Sequence, residues 1–217
     1  MNPIETTMLL LGAYFLGAVP FGVLVSRAKG VDIMETGSKN PGATNVYRTL
    51  GAKYGVLVFI LDALKGVIPA VIGVQLSGQV WIGFLAGVFA VIGHSLSPFL
   101  KFKGGKGVAT GFGALLGSVP LVAISAISVF FVIVAITRFV SLGAIIAAWS
   151  MVVFGFVFPV AQGMQIAFFL MAIFITIRHK ENIKRLLNGT ERKIGKEKTN
   201  SEPEELKELP VDEKSED

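Results

Sequence analysis

The sequence predicts an all-α integral membrane protein, a compact bundle of seven transmembrane helices with the N-terminus outside and the C-terminus cytoplasmic. Three observations carry that reading. Of 217 residues, 53% are hydrophobic and mean hydropathy is +0.68, far from an ordinary soluble domain. Several apolar stretches reach or approach the ~20 residues that span a bilayer as a helix. The basic residues between those stretches gather in alternate connections, as the positive-inside rule requires.

The elements follow in order. Residues 8–25 form the first apolar run, ending near Pro20 and Arg27. No basic segment precedes it and Glu5 is the only early charge, so it is read as a retained helix and not a signal peptide. A polar loop runs from Lys29 to Arg48, and a second run covers 54–76 with Asp62 and Lys65 inside it. Ser77-Gly78-Gln79 makes a turn before the third run, 80–100. Residues 108–137 are apolar apart from a break at Gly117-Ser118-Val119-Pro120, and Thr137-Arg138 ends that block. Residues 139–177 are apolar again, broken near Pro159 to Gly163 and followed by Arg178-His179-Lys180.

Length and charge set the count. A block of 39 residues is too long for one crossing of the ~30 Å hydrocarbon core, and the Gly-Ser-Val-Pro break divides 108–137 as well. The connections around 77–79, 117–120 and 159–163 contain no Lys or Arg. A six-helix count puts either Arg138 or the C-terminal basic cluster on the wrong side. Gly83 with Gly87, Gly107 with Gly111 and Gly113 with Gly117 have the small-residue spacing that lets membrane helices approach closely.

Residues 1–190 read as one transmembrane domain; they hold 14 Lys and Arg against five acids, a balance of +9. Residues 191–217 balance to −4 and are expected to be a charged, disordered cytoplasmic tail. So basic a body favours anionic headgroups or substrates, whereas nothing resembles a nucleic-acid-binding module. The absence of cysteine excludes disulfides, thiolate nucleophiles and cysteine metal sites. With two histidines and no paired carboxylates in the spans, neither a metal site nor a Ser-His-Asp triad has much material.

The polar residues gather in four clusters on the cytoplasmic side. His94 to Val108 places Lys101, Lys103 and Lys106 among Gly104, Gly105 and Gly107. Glycines able to take positive φ and present successive N–H groups would make an anion nest there, with phosphate the obvious guest. The plainer alternative is that these lysines anchor a helix end at the headgroups. The nucleotide P-loop is not present, because Gly107 stands where Ser or Thr must follow Gly-Lys. In the second cluster, Ser38, Asn40, Thr44 and Asn45 crowd around Gly37 and Gly42, with Arg48 suited to bidentate phosphate contact. Asp62 and Lys65 share one helix face and read either as a structural ion pair or as groups facing the site. The fourth cluster joins Arg138 and Ser141 to His179 and Asn182, three apart on one face, where a histidine can act as a general base. Arg178, Lys180 and Lys184 are read as snorkelling at a helix end. A cationic pocket of this kind binds phosphate-bearing substrates and works by positioning and charge stabilisation.

Gly37 to Arg48, Asp62-Ala63-Leu64-Lys65-Gly66, Phe102 to Thr110 and Arg178-His179 with Asn182 resemble the bacterial acyl-phosphate:glycerol-3-phosphate acyltransferases, the PlsY family, in order over about residues 8–190. The resemblance implies a seven-helix protein of the bacterial cytoplasmic membrane whose active site faces the cytoplasm. It implies transfer of an acyl group from acyl phosphate to the 1-hydroxyl of sn-glycerol 3-phosphate, without cofactor or metal, giving lysophosphatidate and phosphate. Membrane lipids and the soluble enzyme that makes acyl phosphate are the implied partners. Carried over by position, Ser38, Arg48, Lys106, His179 and Asn182 are expected to be catalytic. Asn40, Thr44, Asn45, Lys65, His94, Lys103, Gly104, Gly105, Gly107, Arg138 and Ser141 are expected to bind substrate. Lys39 and Pro41 depart from the family, where Gly and an aliphatic residue are commoner. The His-x-x-x-x-Asp pattern of the other large class of glycerolipid acyltransferases is absent, since Phe99 and Lys184 stand five residues after the two histidines. A transporter for a phosphorylated metabolite is the rival; it calls for inverted repeats and a midplane site, which the sequence does not display.

Overall fold

The computed structural model describes residues 1–195. Among them the regular structure is all helical, and every long apolar run is helical over most of its length: α1 (Pro3–Ala18), α2 (Phe21–Arg27), α3 (Ala43–Leu50), α4 (Ala52–Ser77), α5 (Val80–Ser95), a 3₁₀ turn (Pro98–Leu100), α6 (Val108–Ser118), α7 (Pro120–Thr137), α8 (Val140–Val157), α9 (Met164–Arg178) and α10 (Lys180–Leu187). The breaks expected at Gly78, Pro120 and Pro159–Gly163 all occur. Five segments are long and apolar enough to cross a membrane: Pro3–Arg27, Ala52–Ser77, Val80–Leu100, Pro120–Thr137 and Val140–Val157. Helices α6 and α9, of 11 and 15 residues, extend only roughly 16 and 22 Å.

Two departures from the sequence reading concern the ends of runs. The first run is two helices, because Pro20 has no N–H to continue the ladder, which leaves the Ala18 carbonyl without a backbone donor and the Val19 carbonyl with Phe21 N alone, at 3.1 Å. Ser97 Oγ donates to Ala18 O at 2.7 Å and Lys65 Nζ to Val19 O at 3.0 Å, so side chains from other helices repair the break. The expected tail also begins later: residues 191–195 return to the bundle, with Ile194 N donating to Arg138 O at 2.9 Å. The tail from 196 onward lies outside the described residues.

Helix α4 is central and packs against α1, α3, α5 and α6. Its exposed residues Val56, Ile60, Leu64, Ile68, Ile72 and Leu76 recur every fourth position, the surface a hydrocarbon solvent would accept. The opposite face, with Ala63, Gly66, Ala70 and Gly73, is buried. A methyl group on Gly113 of α6 would collide with the Ala63 carbonyl, and one on Gly66 with the Thr110 carbonyl, so the α4–α6 crossing is set by backbone contact. An apolar core of Phe84, Leu115, Val122, Met151, Met164, Phe168 and Ala172 joins α5 to α9. A smaller cluster of Val23, Ile33, Val46 and Val58 underlies the loop 28–42.

Gly113→Ala is expected to destabilise the protein by about 1–3 kcal/mol through overpacking, read as a lowered melting temperature in detergent. Gly12→Ala, with nothing within 4 Å of the added carbon, serves as the control. Equal melting temperatures for the two variants would sink the close-crossing account.

Candidate active site

Two loops, parts of α3, α4, α5, α8 and α10, and the segment after α10 meet at one end of the bundle and enclose about 1310 Å³ of open space. Its wall takes Ser38, Asn40, Thr44, Asn45 and Arg48 from the first polar loop and α3, Asp62 from α4, and His94 from α5. Lys106 and Gly107 from the glycine loop, Ser141 from α8, and His179, Asn182 and Arg185 around α10 complete it. The four clusters that are scattered in sequence therefore share one cavity.

The first loop is organised by Asn45. Its Oδ1 accepts from Ser38 N at 2.9 Å, and its Nδ2 donates to Thr36 O and Asn40 O at 3.0 Å. The buried amide is thus occupied in shaping the loop, a positioning role where direct substrate binding is expected from sequence. Asn40 Oδ1 accepts from Gly42 N at 3.0 Å and turns the chain into α3. Lys39 adopts φ 53°, a left-handed conformation that glycine takes freely and lysine does not.

The glycine loop differs from the expected nest. Gly104 N and Gly105 N donate to the carbonyls of Ser95 and His94 at 3.1 Å, so their N–H groups are already engaged. Of the three glycines only Gly107 takes positive φ, 81°. Gly104 and Gly105 are needed for close approach: a methyl group on Gly105 would strike the His94 ring. Arg178, expected to snorkel, turns inward, and its Nη2 donates to Gly104 O and Gly105 O at 2.9 Å. The loop is held from both sides, and Lys106 is the group it presents.

Lys106 Nζ donates to Asn182 Oδ1. Asn182 Nδ2 donates in turn to Glu191 Oε1 at 2.7 Å, which also accepts from Ser141 Oγ at 2.7 Å. Arg185 Nε donates to Glu191 Oε2 at 2.7 Å. Arg48 Nη2 donates to Arg192 O at 2.9 Å, tying α3 to the same returning segment. Burial alone would raise the Glu191 pKa, but its bonds from Ser141, Asn182 and Arg185 hold it below the usual carboxylate value. Burial, opposed by Glu191 and reinforced by Arg185, Arg48 and Arg178, lowers Lys106 to about 8. Burial and then the Lys106 charge lower His179 to about 4. His179 Nδ1 lies 2.8 Å from Ile175 O; a carbonyl only accepts, so Nδ1 carries the proton and Nε2 keeps its lone pair.

Five of the expected residues do not line this cavity. Lys65 is buried beneath it, 2.8 Å from Asp62 Oδ1. Gly104 and Gly105 are buried inside the loop, while Lys103 and Arg138 are exposed. Arg185, Glu191 and Arg192 line it without having been singled out. Arg185 continues the i, i+3 spacing of His179 and Asn182 and was readable on that ground. Glu191 and Arg192 had no local signal. A second cavity of about 610 Å³ is apolar and adjoins the first, sharing Gly107, Val108, Phe130 and Ala144. It runs between α6, α7, α8 and α9 past Ala148, Met151 and Met171. Among the described residues no cluster could hold a metal ion.

The family model described as glycerol-3-phosphate acyltransferase matches residues 7–189. The chain is 45% identical over 186 residues to the glycerol-3-phosphate acyltransferase of Geobacter sulfurreducens, covering 84% of this chain and 94% of that one. It is 43% identical over 191 residues to that of Aquifex aeolicus, covering 88% and 100%. Among solved structures it is similar to PlsY (YgiH), an integral membrane glycerol 3-phosphate acyltransferase. The glycerol 3-phosphate form superposes with TM-score 0.84 at 43% identity, covering 88% of this chain and 96% of that one. The lysophosphatidic acid form gives 0.82 at the same identity and coverage.

The Lys106 shift gives a pH test. A depressed lysine pKa means charge below about 8 and none above it, so affinity for inorganic phosphate should fall as pH rises through that value. Titration calorimetry roughly one unit either side of it reads the change. Lys106→Arg, which keeps its charge, should abolish the drop; a drop that survives in that variant would assign it to another group.

Proposed function

The chain belongs to the glycerol-3-phosphate acyltransferase family, and from that premise we propose that this acyltransferase moves an acyl group from acyl phosphate to the 1-hydroxyl of sn-glycerol 3-phosphate. The hydroxyl oxygen bonds to the acyl carbon, the bond from that carbon to the phosphate oxygen breaks, and inorganic phosphate leaves with its electron pair. The proton of the hydroxyl goes to a base at the site, and the product is 1-acyl-sn-glycerol 3-phosphate. The observation that carries this reading is the shared wall. A cationic cavity able to hold two phosphates abuts an apolar one able to take an acyl chain, with Gly107, Val108, Phe130 and Ala144 between them.

Acyl phosphate is already activated, so no covalent acyl-enzyme is needed. Lys106 and Arg48 hold the phosphates and stabilise charge on the leaving group. Ser38, at the exposed rim, and Thr44 add hydrogen bonds. Asn182, fixed between Lys106 and Glu191, keeps the cation aimed. His179 offers Nε2 as proton acceptor; bound dianions would raise its affinity for a proton. The same reading makes α6 and α9 short spans beside the five longer ones. That gives seven crossings of the bacterial cytoplasmic membrane, an outer N-terminus and a cytoplasmic site.

Purified protein in lipidic mesophase with palmitoyl phosphate and glycerol 3-phosphate should release phosphate and lysophosphatidate in equal amounts. Lys106→Ala and Arg48→Ala should each lose about 100-fold or more in kcat/KM. His179→Ala should lower kcat with KM unchanged if Nε2 is the base. Phosphate without lysophosphatidate would make the protein a hydrolase, and neither product would turn attention to transport. Ala148→Trp should plug the apolar cavity and raise KM for palmitoyl phosphate at least about tenfold, since excluding two methylenes costs roughly 1.6 kcal/mol. KM for glycerol 3-phosphate should stay put; equal effects on both substrates would remove the acyl chain from that cavity.

A further inference from the structure

The loop between α5 and Gly104 is unused by the proposed reaction. Phe99, Lys101, Phe102 and Lys103 line neither of the two cavities. Phe99 and Phe102 are 62% and 61% exposed, and both lysines are exposed. The loop is nonetheless tightly built. Leu100 N and Phe102 N donate to Ser97 O at 3.1 and 2.8 Å, Lys103 N donates to Leu100 O at 2.9 Å, and Ser97 Oγ is anchored on Ala18 O.

Two consecutive side-chain-bearing residues, Lys101 and Phe102, hold left-handed φ of 51° and 63°, where L-residues are strained. Gly104 and Gly105 follow one residue later, yet the left-handed conformation falls on the two residues that carry side chains. The turn leaves all four of these side chains, two phenyl rings and two ammonium groups within five residues, on the outer surface. Among the described residues no ion pair engages Lys101 or Lys103, and the sequence from 63 to 180 contains no Asp or Glu. The apolar span Val80–Leu100 ends inside the loop, so these residues stand where hydrocarbon gives way to headgroups. Rings at that depth and lysines just beyond it complement an anionic bilayer surface.

We propose that residues 98–103 form a bilayer anchor, with Phe99 and Phe102 entering the headgroup boundary and Lys101 and Lys103 taking the phosphates of anionic lipids. The loop runs directly into Gly104-Gly105-Lys106, so the anchor fixes the cationic cavity at the membrane surface. Resting on the acyl-transfer reading above, that is also where an anionic, lipid-borne donor arrives.

The chain has no cysteine, so Phe102→Cys gives a single thiol for an environment-sensitive fluorophore; Phe99→Cys is the second variant should the first fail to fold. Glu35→Cys, exposed on the first loop, is the aqueous control. In vesicles of phosphatidylcholine with phosphatidylglycerol, the label at 102 should be quenched by headgroup-region spin-labelled lipid and shielded from iodide at least severalfold relative to the label at 35. Lys101→Gln with Lys103→Gln should remove the gain in lipid quenching that phosphatidylglycerol gives over phosphatidylcholine alone. Iodide access equal to that at 35 overturns the anchor. Lipid quenching indifferent to phosphatidylglycerol overturns the anionic-lipid contact. Neither readout needs catalysis, so both stand apart from the acyl-transfer assay.

Discussion

A polar group placed inside an apolar bundle must find its partner within the protein, because hydrocarbon offers none, and the site is organised by how that demand is met. Arg178 is the central case. It sits at the end of α9, where a cation could reach water, yet its guanidinium turns in to hold the carbonyls of Gly104 and Gly105. The N–H groups of the same glycines are taken by His94 and Ser95. With both edges of that backbone satisfied, the loop has little freedom left, and Lys106 is delivered to one place. Lys65 and Ser97 do the same for the carbonyls released at Pro20, and the Asn45 amide for the first loop.

The second requirement is electrostatic. Arg48, Lys106, Arg185 and Arg178 converge on one region, and like charges at that spacing in a partly buried setting repel strongly. Glu191 offsets part of this. Its carboxylate is buried and takes bonds from Ser141, Asn182 and Arg185, leaving the cavity cationic but not intolerably so. Even with that help Lys106 titrates near 8, which places its charge within reach of a substrate's influence. A phosphate entering the cavity would restore the charged form, so binding and protonation are coupled in the same direction.

Much of this was legible in the sequence, and the exceptions have physical causes. Helices and their breaks could be read because apolar length and Pro or Gly punctuation are local properties. The four polar clusters could be read because ionisable and amide side chains in so greasy a chain need a reason. Pro20 marks the end of the first run in sequence, but the restart of a helix at Phe21 is not legible there, because the side chains that hold the break, Lys65 and Ser97, are distant in sequence. Glu191 was assigned to the tail since its neighbours are charged and its partners lie 50 and nine residues away. The glycine loop departs from the expected nest for a subtler reason. Sequence shows that glycine is needed, but not whether for positive φ or for the missing Cβ, and at Gly104 and Gly105 it is the latter.

That distinction bears on how the two cavities relate. Had the glycines formed an open nest, phosphate would sit on the loop itself, apart from the apolar space between α6 and α8. With the loop instead packed against His94, the cation it turns into the cavity, Lys106, is carried one residue before Gly107, and Gly107 caps the start of α6 while forming part of both cavity walls. A ligand phosphate held by Lys106 therefore lies at the boundary between polar and apolar space. An acyl phosphate has its reactive carbon at the corresponding boundary of its own structure, between chain and phosphate. On the proposed reading, matching those two boundaries would position the carbonyl without any dedicated contact to it, an economical way for so apolar a protein to orient a reaction between a lipid and a water-soluble alcohol.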